Sequence, residues 1–464
     1  MTILTWLRAL ERATRPENPE FAAAVERRWQ ELPDHVKTPG QVLGRHGVGC
    51  EGTHGVFPKC NFACTPCYHS RDANQVRVDG SHTVRAVEAQ MELLEKLRGP
   101  VAHAQLIGGE VSLLAPDDHA AALRAMQSRG REPMSFTHGD LGYDYLEGLA
   151  LGPDGAPRFA RLSFAAHFDR FMYGRKGISR PESEEALNPY RQQFADMFTR
   201  LRKEHGVRSF LAHNMTVTPG NLAEVAGVIR DCHAMGYSMF SFQPAAMVGD
   251  DRRWKENYRE VTGDSVWAEV ERGAGARLDH RVFEHGDVRC NRVAYGFYAG
   301  ERWYPFIDGG DPRDLATRDA FFRYLGRVSF TGAPSAVLAG RLARVIARHP
   351  RIAVIAAGWA GRAARRVGPL NLWRHRRQIR LCTFVMHHFM DAADVAPAWE
   401  MMQKGEAATD PRLRETQERL AACHYAMAHP ETGALVPACV QHSVLDPTEN
   451  AQLRKLLPII HAGR

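Results

Sequence analysis

A chain of 464 residues is longer than one ordinary domain and points to two or three. With 44% hydrophobic and 24% charged residues it has the composition of a globular protein, and no apolar run reaches the ~18–20 residues that cross a bilayer. Nine cysteines, an odd number with three crowded into one loop, exclude a secreted disulfide scaffold, and Met1–Arg8 turns charged too early for a signal peptide, so a cytoplasmic protein is expected.

Residues 1–45 read as a helical lead-in. Leu4, Leu7, Leu10 and Ala13 recur at helical spacing, and Phe21–Val25 follows a Pro16/Pro19 break. Cys50 stands in a glycine-rich approach and reads as a packed thiol or an additional ligand. Residues 46–250 then alternate short apolar runs with amphipathic stretches, the pattern of a parallel sheet covered by helices. The first strand is expected to end at Pro58 and run into Cys60-Asn61-Phe62-Ala63-Cys64-Thr65-Pro66-Cys67-Tyr68. Three thiolates on a tight loop leave one iron of a four-iron cluster without a protein ligand, and an open position permits catalysis. A zinc knot is the competing reading.

Helix Thr83–Leu97 should follow, with Val84, Val87, Met91, Leu94 and Leu97 along one stripe. Five more strands are expected at 103–107, 134–136, 160–164, 209–217 and 238–242. Each ends in polar or glycine residues: Gly108-Gly109-Glu110, His138, His167 and Asp169, Asn214, and Gln243. In a parallel barrel these carboxyl ends surround one mouth. Paired glycines suit a ligand lying against backbone, and the adjacent carboxylate suits an ammonium group.

The C-x3-C-x2-C loop with an aromatic after it, and Gly-Gly-Glu beginning 41 residues beyond Cys67, resemble the radical S-adenosylmethionine (SAM) superfamily. The resemblance covers residues 55 to 245. It implies an α/β fold, a partial (β/α)6 TIM-like barrel, with a [4Fe–4S] cluster on Cys60, Cys64 and Cys67 whose fourth iron chelates SAM. It implies that Gly108, Gly109 and Glu110 contact the amino end of SAM; Tyr68 is a further cofactor-binding candidate, and His138, His167, Asp169, Asn214 and Gln243 at the other strand ends could bind SAM or the substrate or be hydrogen-bonded rim residues. It also implies an electron donor such as flavodoxin or ferredoxin. Hydrogen abstraction from an unidentified substrate, with C–C bond formation or methylation, is the expected reaction.

Beyond residue 250, Asp250-Asp251-Arg252-Arg253 marks a boundary, and 251–464 reads as a C-terminal α+β extension. Helix Pro411–Ala422, capped by Asp410, should deliver the chain to a hairpin whose strands flank His429–Gly433. Cys423 and Cys439 are equidistant from Glu431, so in simple register they would face each other roughly 5 Å apart. With Cys290 and Cys382 they could hold an auxiliary iron–sulfur cluster, or all four could be packed thiols. Cys423-His424-Tyr425, Pro430–Gly433, Pro437-Ala438-Cys439 and Phe389-Met390-Asp391 resemble the tetraether-lipid synthase and pterin-modifying methyltransferase branch. That branch's cysteine-rich N-terminal extension is missing here, and Ala438 replaces its aromatic. A lipid-like substrate or a cofactor precursor is one expectation; a peptide maturase is the alternative.

The positive charge is local. Between Arg341 and Arg380 lie eleven arginines and no acidic residue, within a basic segment spanning 337–380. A solvated helix beside a buried strand at Ile352–Gly361, contact with an anionic membrane surface, and phosphate binding all fit such a segment. Sparse aromatics make nucleic acid the weakest partner. A non-catalytic iron–sulfur or zinc protein bound to nucleic acid is the reading from outside enzymology.

Overall fold

The computed structural model describes residues 5, 11, 13–68, 71–100, 102–248, 258–330 and 333–459. Leu4, Leu7, Leu10 and the Asp250–Arg253 boundary lie outside them. Thirteen strands occur among the described residues: β1 (Cys50–Gly52), β2 (Ala63–Cys64), β3 (Ala102–Leu106), β4 (Arg131–Thr137), β5 (Arg161–His167), β6 (Met172–Tyr173), β7 (Arg208–Val217), β8 (Met239–Pro244), β9 (Asn291–Ala299), β10 (Arg302–Pro305), β11 (Arg380–His387), β12 (Tyr425–His429) and β13 (Ala434–Pro437). Eleven of them form one sheet in the order β10-β9-β11-β8-β7-β5-β4-β3-β1-β12-β13.

Five of the six expected strands are present as β3, β4, β5, β7 and β8; the one expected to end at Pro58 is replaced by the three-residue β1 just before it, and each of the six is followed by a helix. The parallel run does not stop at six. β11 pairs parallel with β8, and β12 pairs parallel with β1, extending it to eight. The antiparallel β9, β10 and β13 complete the edges. Residues 291–437 therefore build onto the same sheet instead of forming a separate one. The sheet curls: Tyr295 on β9 bonds His285 at 2.9 Å, and the His285 ring packs 5.0 Å from His424, just before β12 near the opposite edge.

Alternation along the strands separates two faces. Phe164 and Ala166, Leu211 and Met215, Phe240 and Phe242, and Phe384 and Met386 pack in the main core. The intervening residues point the other way, into the curl. Helix Gly80–Arg98, capped by the Asp79 carboxylate on the His82 N–H, covers the start of the sheet. Val87, Met91 and Leu94 are its buried apolar stripe, whereas Leu97 is exposed. Thr83 and Gln90 are also buried, because β1 ends at Gly52 and not at Pro58. The chain that follows lacks a full strand ladder, so side chains satisfy much of its backbone. Thr83 Oγ1 donates to the Val56 carbonyl at 2.7 Å, and the Gln90 amide bonds both the N–H and the carbonyl of His54.

In the C-terminal part, helix Pro411–Ala421 has the expected Asp410 cap. The Ile352–Gly361 stretch is helical, inside Arg351–Val367, and not a buried strand. Its alanine-rich composition favours helix, and Val367 is the one buried residue of that helix. No described helix is long and apolar enough to cross a membrane.

Candidate metal and cofactor centre

The cysteine loop is held from four directions. Asn74 Oδ1 accepts the Cys60 N–H at 2.9 Å. β2 pairs with β6 so that Cys64 lies opposite Met172, and the Thr65 N–H donates to the Phe171 carbonyl at 3.0 Å. Phe62 stacks on His138 with ring centroids 3.8 Å apart and planes 7° apart. The Phe62 N–H also points at Cys60 Sγ, 3.4 Å away, a donor placed to stabilise a thiolate. Burial, with Glu110 and Cys67 adding negative potential, pushes the Cys60 thiol up to about 12. Such a sulfur stays protonated until a cation displaces the proton.

A single zinc ion with 2.3 Å bonds would draw three sulfurs to about 3.8 Å of one another. Among the described residues, the groups whose ligand atoms lie within 4.8 Å of one another do not include Cys60, Cys64 and Cys67. A four-iron cluster instead binds each thiolate to a different iron and so accepts sulfurs standing farther apart.

Gly108 and Gly109 have a structural role that the sequence did not show: the Phe57–Lys59 segment lies against them. The Gly109 N–H donates to the Phe57 carbonyl at 2.7 Å and the Glu110 N–H to the Lys59 carbonyl at 2.9 Å. A Cβ on Gly108 would meet the Phe57 ring at 2.7 Å, and one on Gly109 would overlap the Lys59 and Pro58 carbonyls. The end of β3 is thus zipped to the last residues before Cys60. Gly109→Ala is expected to cost about 1–3 kcal/mol by overpacking and to lower iron uptake sharply. Thermal unfolding and iron analysis of the variant check this.

Glu110 is buried and already engaged. Its carboxylate accepts from the Ser112 N–H (3.0 Å), Thr137 Oγ1 (2.7 Å) and the His138 N–H (2.8 Å). Two oxygens offer about four acceptor directions, which leaves one for an incoming ammonium. His138 accepts the Asp140 N–H at Nδ1, so Nε2 carries the proton and donates to Asn61 Oδ1 at 2.8 Å. Burial lowers the His138 pKa, Glu110 offsetting this only in part, which keeps the ring neutral. His138 therefore grips the cysteine loop. Asp169 closes its own turn, accepting from the Phe171 N–H and pairing with His167 Nε2 at 2.8 Å. Tyr68 packs 4.4 Å from the His442 ring, and burial followed by the charge of Cys67 raises its pKa well above the phenol range.

Sequence reading missed two loop partners. Asn74 had no signal beyond being a polar residue near the loop. Arg175 is buried, donates to the His138 carbonyl at 2.6 Å, and lies 4.4 Å from the Phe168 ring and 5.4 Å from Phe62. Burial lowers its pKa to about 10, opposed first by Asp140 and then by Glu110 and Cys64, which places this cation among the groups around the cysteine loop.

A polar belt crosses the inner face beyond these residues. His167, Asn214 and Ser241 are neighbours in register on β5, β7 and β8, and Thr216 pairs with Gln243. Gln243 Nε2 donates to Ser241 Oγ at 2.8 Å. Asn214 Oδ1 and Gln243 Oε1 are buried with no hydrogen-bond partner among the described residues. Two orphaned acceptors on adjacent strands suit a ligand bearing hydroxyl or amino donors.

The four C-terminal cysteines do not form one site. β12 and β13 pair Met427 with Val436, which moves the centre of symmetry half a residue beyond Glu431, so Cys423 and Cys439 are not opposed. Cys439 lies in a short helix, Ala438–Val440, and Cys423 precedes its strand. Cys290, Cys423 and Cys439 are near enough to raise one another's pKa, after burial, the largest cause. Arg419 Nε donates to Cys290 Sγ at 3.1 Å. Cys382 is packed in the main core, where its carbonyl accepts the Trp303 indole N–H at 3.1 Å. Cys50 is a strand residue whose sulfur accepts from Gln105 Nε2 at 3.3 Å, away from the cysteine loop.

No protein-family model and no curated protein matches the chain. Solved structures with partial likeness include Streptococcus suis SuiB bound to S-adenosylmethionine, at 13% identity over 45% of this chain and 43% of that one, with a TM-score of 0.32. Native anSMEcpe with bound AdoMet gives 12% identity over 42% and 50% of the two chains and a TM-score of 0.28. The same protein with AdoMet and the Cp18Cys peptide gives 12%, 48% and 57%, and 0.31. The chain thus spans about half the length of the solved proteins it matches.

Proposed function

We propose that this chain is a radical SAM enzyme, with Cys60, Cys64 and Cys67 holding a [4Fe–4S] cluster and the curled inner face receiving SAM and substrate. The observation that carries this reading is the cysteine loop itself: three thiols on one tight turn, braced by Phe62, Asn74, His138 and the Gly108-Gly109 zipper. A reduced cluster, when bound, supplies the electron that splits SAM and gives a hydrogen-abstracting adenosyl radical.

The protein's own part is positional. The Phe62 N–H and the Arg175 cation favour negative charge on the sulfurs. The remaining acceptor direction on Glu110 suits the SAM ammonium, and the orphaned oxygens of Asn214 and Gln243 suit donors on its sugar or base. The curled sheet and its aromatic packing exclude water from the radical's surroundings. Anaerobic reconstitution tests the cofactor: about four irons per chain are expected, and a colourless protein that takes up zinc at these cysteines would refute the assignment.

A specific observation favours work at a lipid surface. Val354 is 75%, Leu370 68%, Trp373 66% and Leu381 65% exposed, in a segment that also exposes Arg348, Arg351, Arg365, Arg374 and Arg377. None of these five arginines has a carboxylate partner among the described residues. Apolar side chains and an interfacial tryptophan amid unpaired cations suit an anionic membrane, hence a lipid-like substrate. The protein is expected to co-float with phosphatidylserine vesicles but not with phosphatidylcholine alone. The Arg374→Glu, Arg377→Glu variant should lose about 2 kcal/mol or more of that binding.

A further inference from the structure

A second cluster of ligand-type side chains lies apart from the cysteines. The His54 ring stacks on His429 with centroids 4.1 Å apart and planes at 23°. Both side chains are more than nine-tenths buried, and each ring has an oxygen beside both nitrogens. His54 Nε2 meets the Ala428 carbonyl at 2.7 Å, whereas Nδ1 lies 2.7 Å from Glu449 Oε1 but out of line for a hydrogen bond, so this buried nitrogen is left without a hydrogen-bond partner among the described residues. His429 Nδ1 meets Glu431 Oε1 at 2.8 Å, and Nε2 meets Gln441 Oε1 at 2.5 Å. The Gln441 amide cannot be turned to help, because its nitrogen donates to Asp446 Oδ1 and Glu449 Oε2, both at 2.9 Å.

Four acceptors thus surround two rings that bring only two N–H groups when neutral. Two positive charges are missing. Two protons would place imidazolium cations face to face, a repulsive arrangement. One divalent ion supplies the same charge without it. No lysine or arginine among the described residues pairs with Glu431 or Glu449, so the local charge is otherwise negative.

We propose that His54, His429 and Glu449 form a divalent-metal site, of the class that binds zinc, fastening the approach to the cysteine loop to the C-terminal hairpin and last helix. One ligand atom from each residue lies within 4.8 Å of the others. Two imidazoles and a carboxylate are a zinc donor set that leaves room for a water. Ala428 and Glu431 hold the far nitrogens of the two rings as N–H donors, which is how metal-bound histidines are oriented. Gln441 Oε1, 2.5 Å from His429 Nε2, is a further oxygen beside the site. A second orphan points the same way: Asn450 Nδ2 is buried with no acceptor, on a small cavity also lined by His54, His442 and Asp446. A metal-bound water would accept from it.

The site bridges three pieces of chain. His54 lies between β1 and the cysteine loop, His429 ends β12, and Glu449 lies on helix Asp446–Leu456. The inference does not depend on the radical SAM reading, and the test separates the two. Full-length protein is stripped with chelator, titrated with Zn2+ and desalted, and its zinc is counted. About one zinc per chain is expected in the wild type and in the Cys60→Ala, Cys64→Ala, Cys67→Ala variant. The His54→Gln, His429→Gln variant should retain none, and Glu449→Gln should bind at least tenfold more weakly while keeping its circular dichroism. Zinc should raise the unfolding midpoint of the wild type and of the triple-cysteine variant, but not of the double-histidine variant. Zinc retained in the double-histidine variant, or a folded wild type that binds none, overturns the proposal, as does zinc lost only with the cysteines.

Discussion

Cys64→Ala is expected to abolish SAM cleavage while leaving the fold intact. The cysteine lies on a two-residue strand held to β6, so the loop keeps its pairing when the sulfur goes. Its backbone contacts do not use the side chain, and Asn74 and His138 still fix the neighbouring residues. With two thiolates left, the cluster loses one iron's anchor. The expected readouts are iron well below four per chain and no detectable 5′-deoxyadenosine. Unchanged iron content in this variant would place the cluster elsewhere in the chain. Asn74→Ala is the graded counterpart: the thiols remain, but the Cys60 N–H loses its side-chain acceptor, so iron should bind yet dissociate faster.

Arg131→Leu should produce the largest loss of stability. Arg131 on β4 reaches across β3 to Glu51 on β1, with Nε to Oε2 at 3.0 Å and Nη2 to Oε1 at 3.2 Å, both side chains fully buried. The guanidinium also donates to the carbonyls of Gly99 (2.8 Å) and Arg129 (2.7 Å). Removing it strands a carboxylate in the interior, a loss of about 3–5 kcal/mol. The double variant Glu51→Gln, Arg131→Met should recover much of that, because no uncompensated charge stays behind. β1 is only three residues long and leads straight toward Cys60, so Arg131→Leu should also impair cluster assembly. Chemical denaturation of the two variants gives the comparison.

The sequence was most informative where burial enforces pattern. β5, β7 and β8 are parallel strands covered by helices, so their apolar runs stand out, and their ends were placed within a few residues. The cysteine spacing and Gly-Gly-Glu were visible as motifs, but the glycines' partner was not. Nothing local in Gly108-Gly109 says that the Phe57–Lys59 backbone crosses there. β11 begins with Arg380 and Leu381, both exposed, and its partner strand β8 is well over a hundred residues away, so only tertiary pairing reveals it. The hairpin was legible, but its register was wrong by half a step. That shift is enough to separate Cys423 from Cys439, since neighbouring positions face opposite sides. The His54–His429–Glu449 grouping joins residues 375 and 20 positions apart and left no spacing signal.

The most direct measurement is the product formed when anaerobically reconstituted protein is mixed with SAM and a strong one-electron reductant. The account requires 5′-deoxyadenosine and methionine from the wild type and neither from the Cys64→Ala variant. A fully loaded cluster that accepts the electron and leaves SAM whole would contradict it.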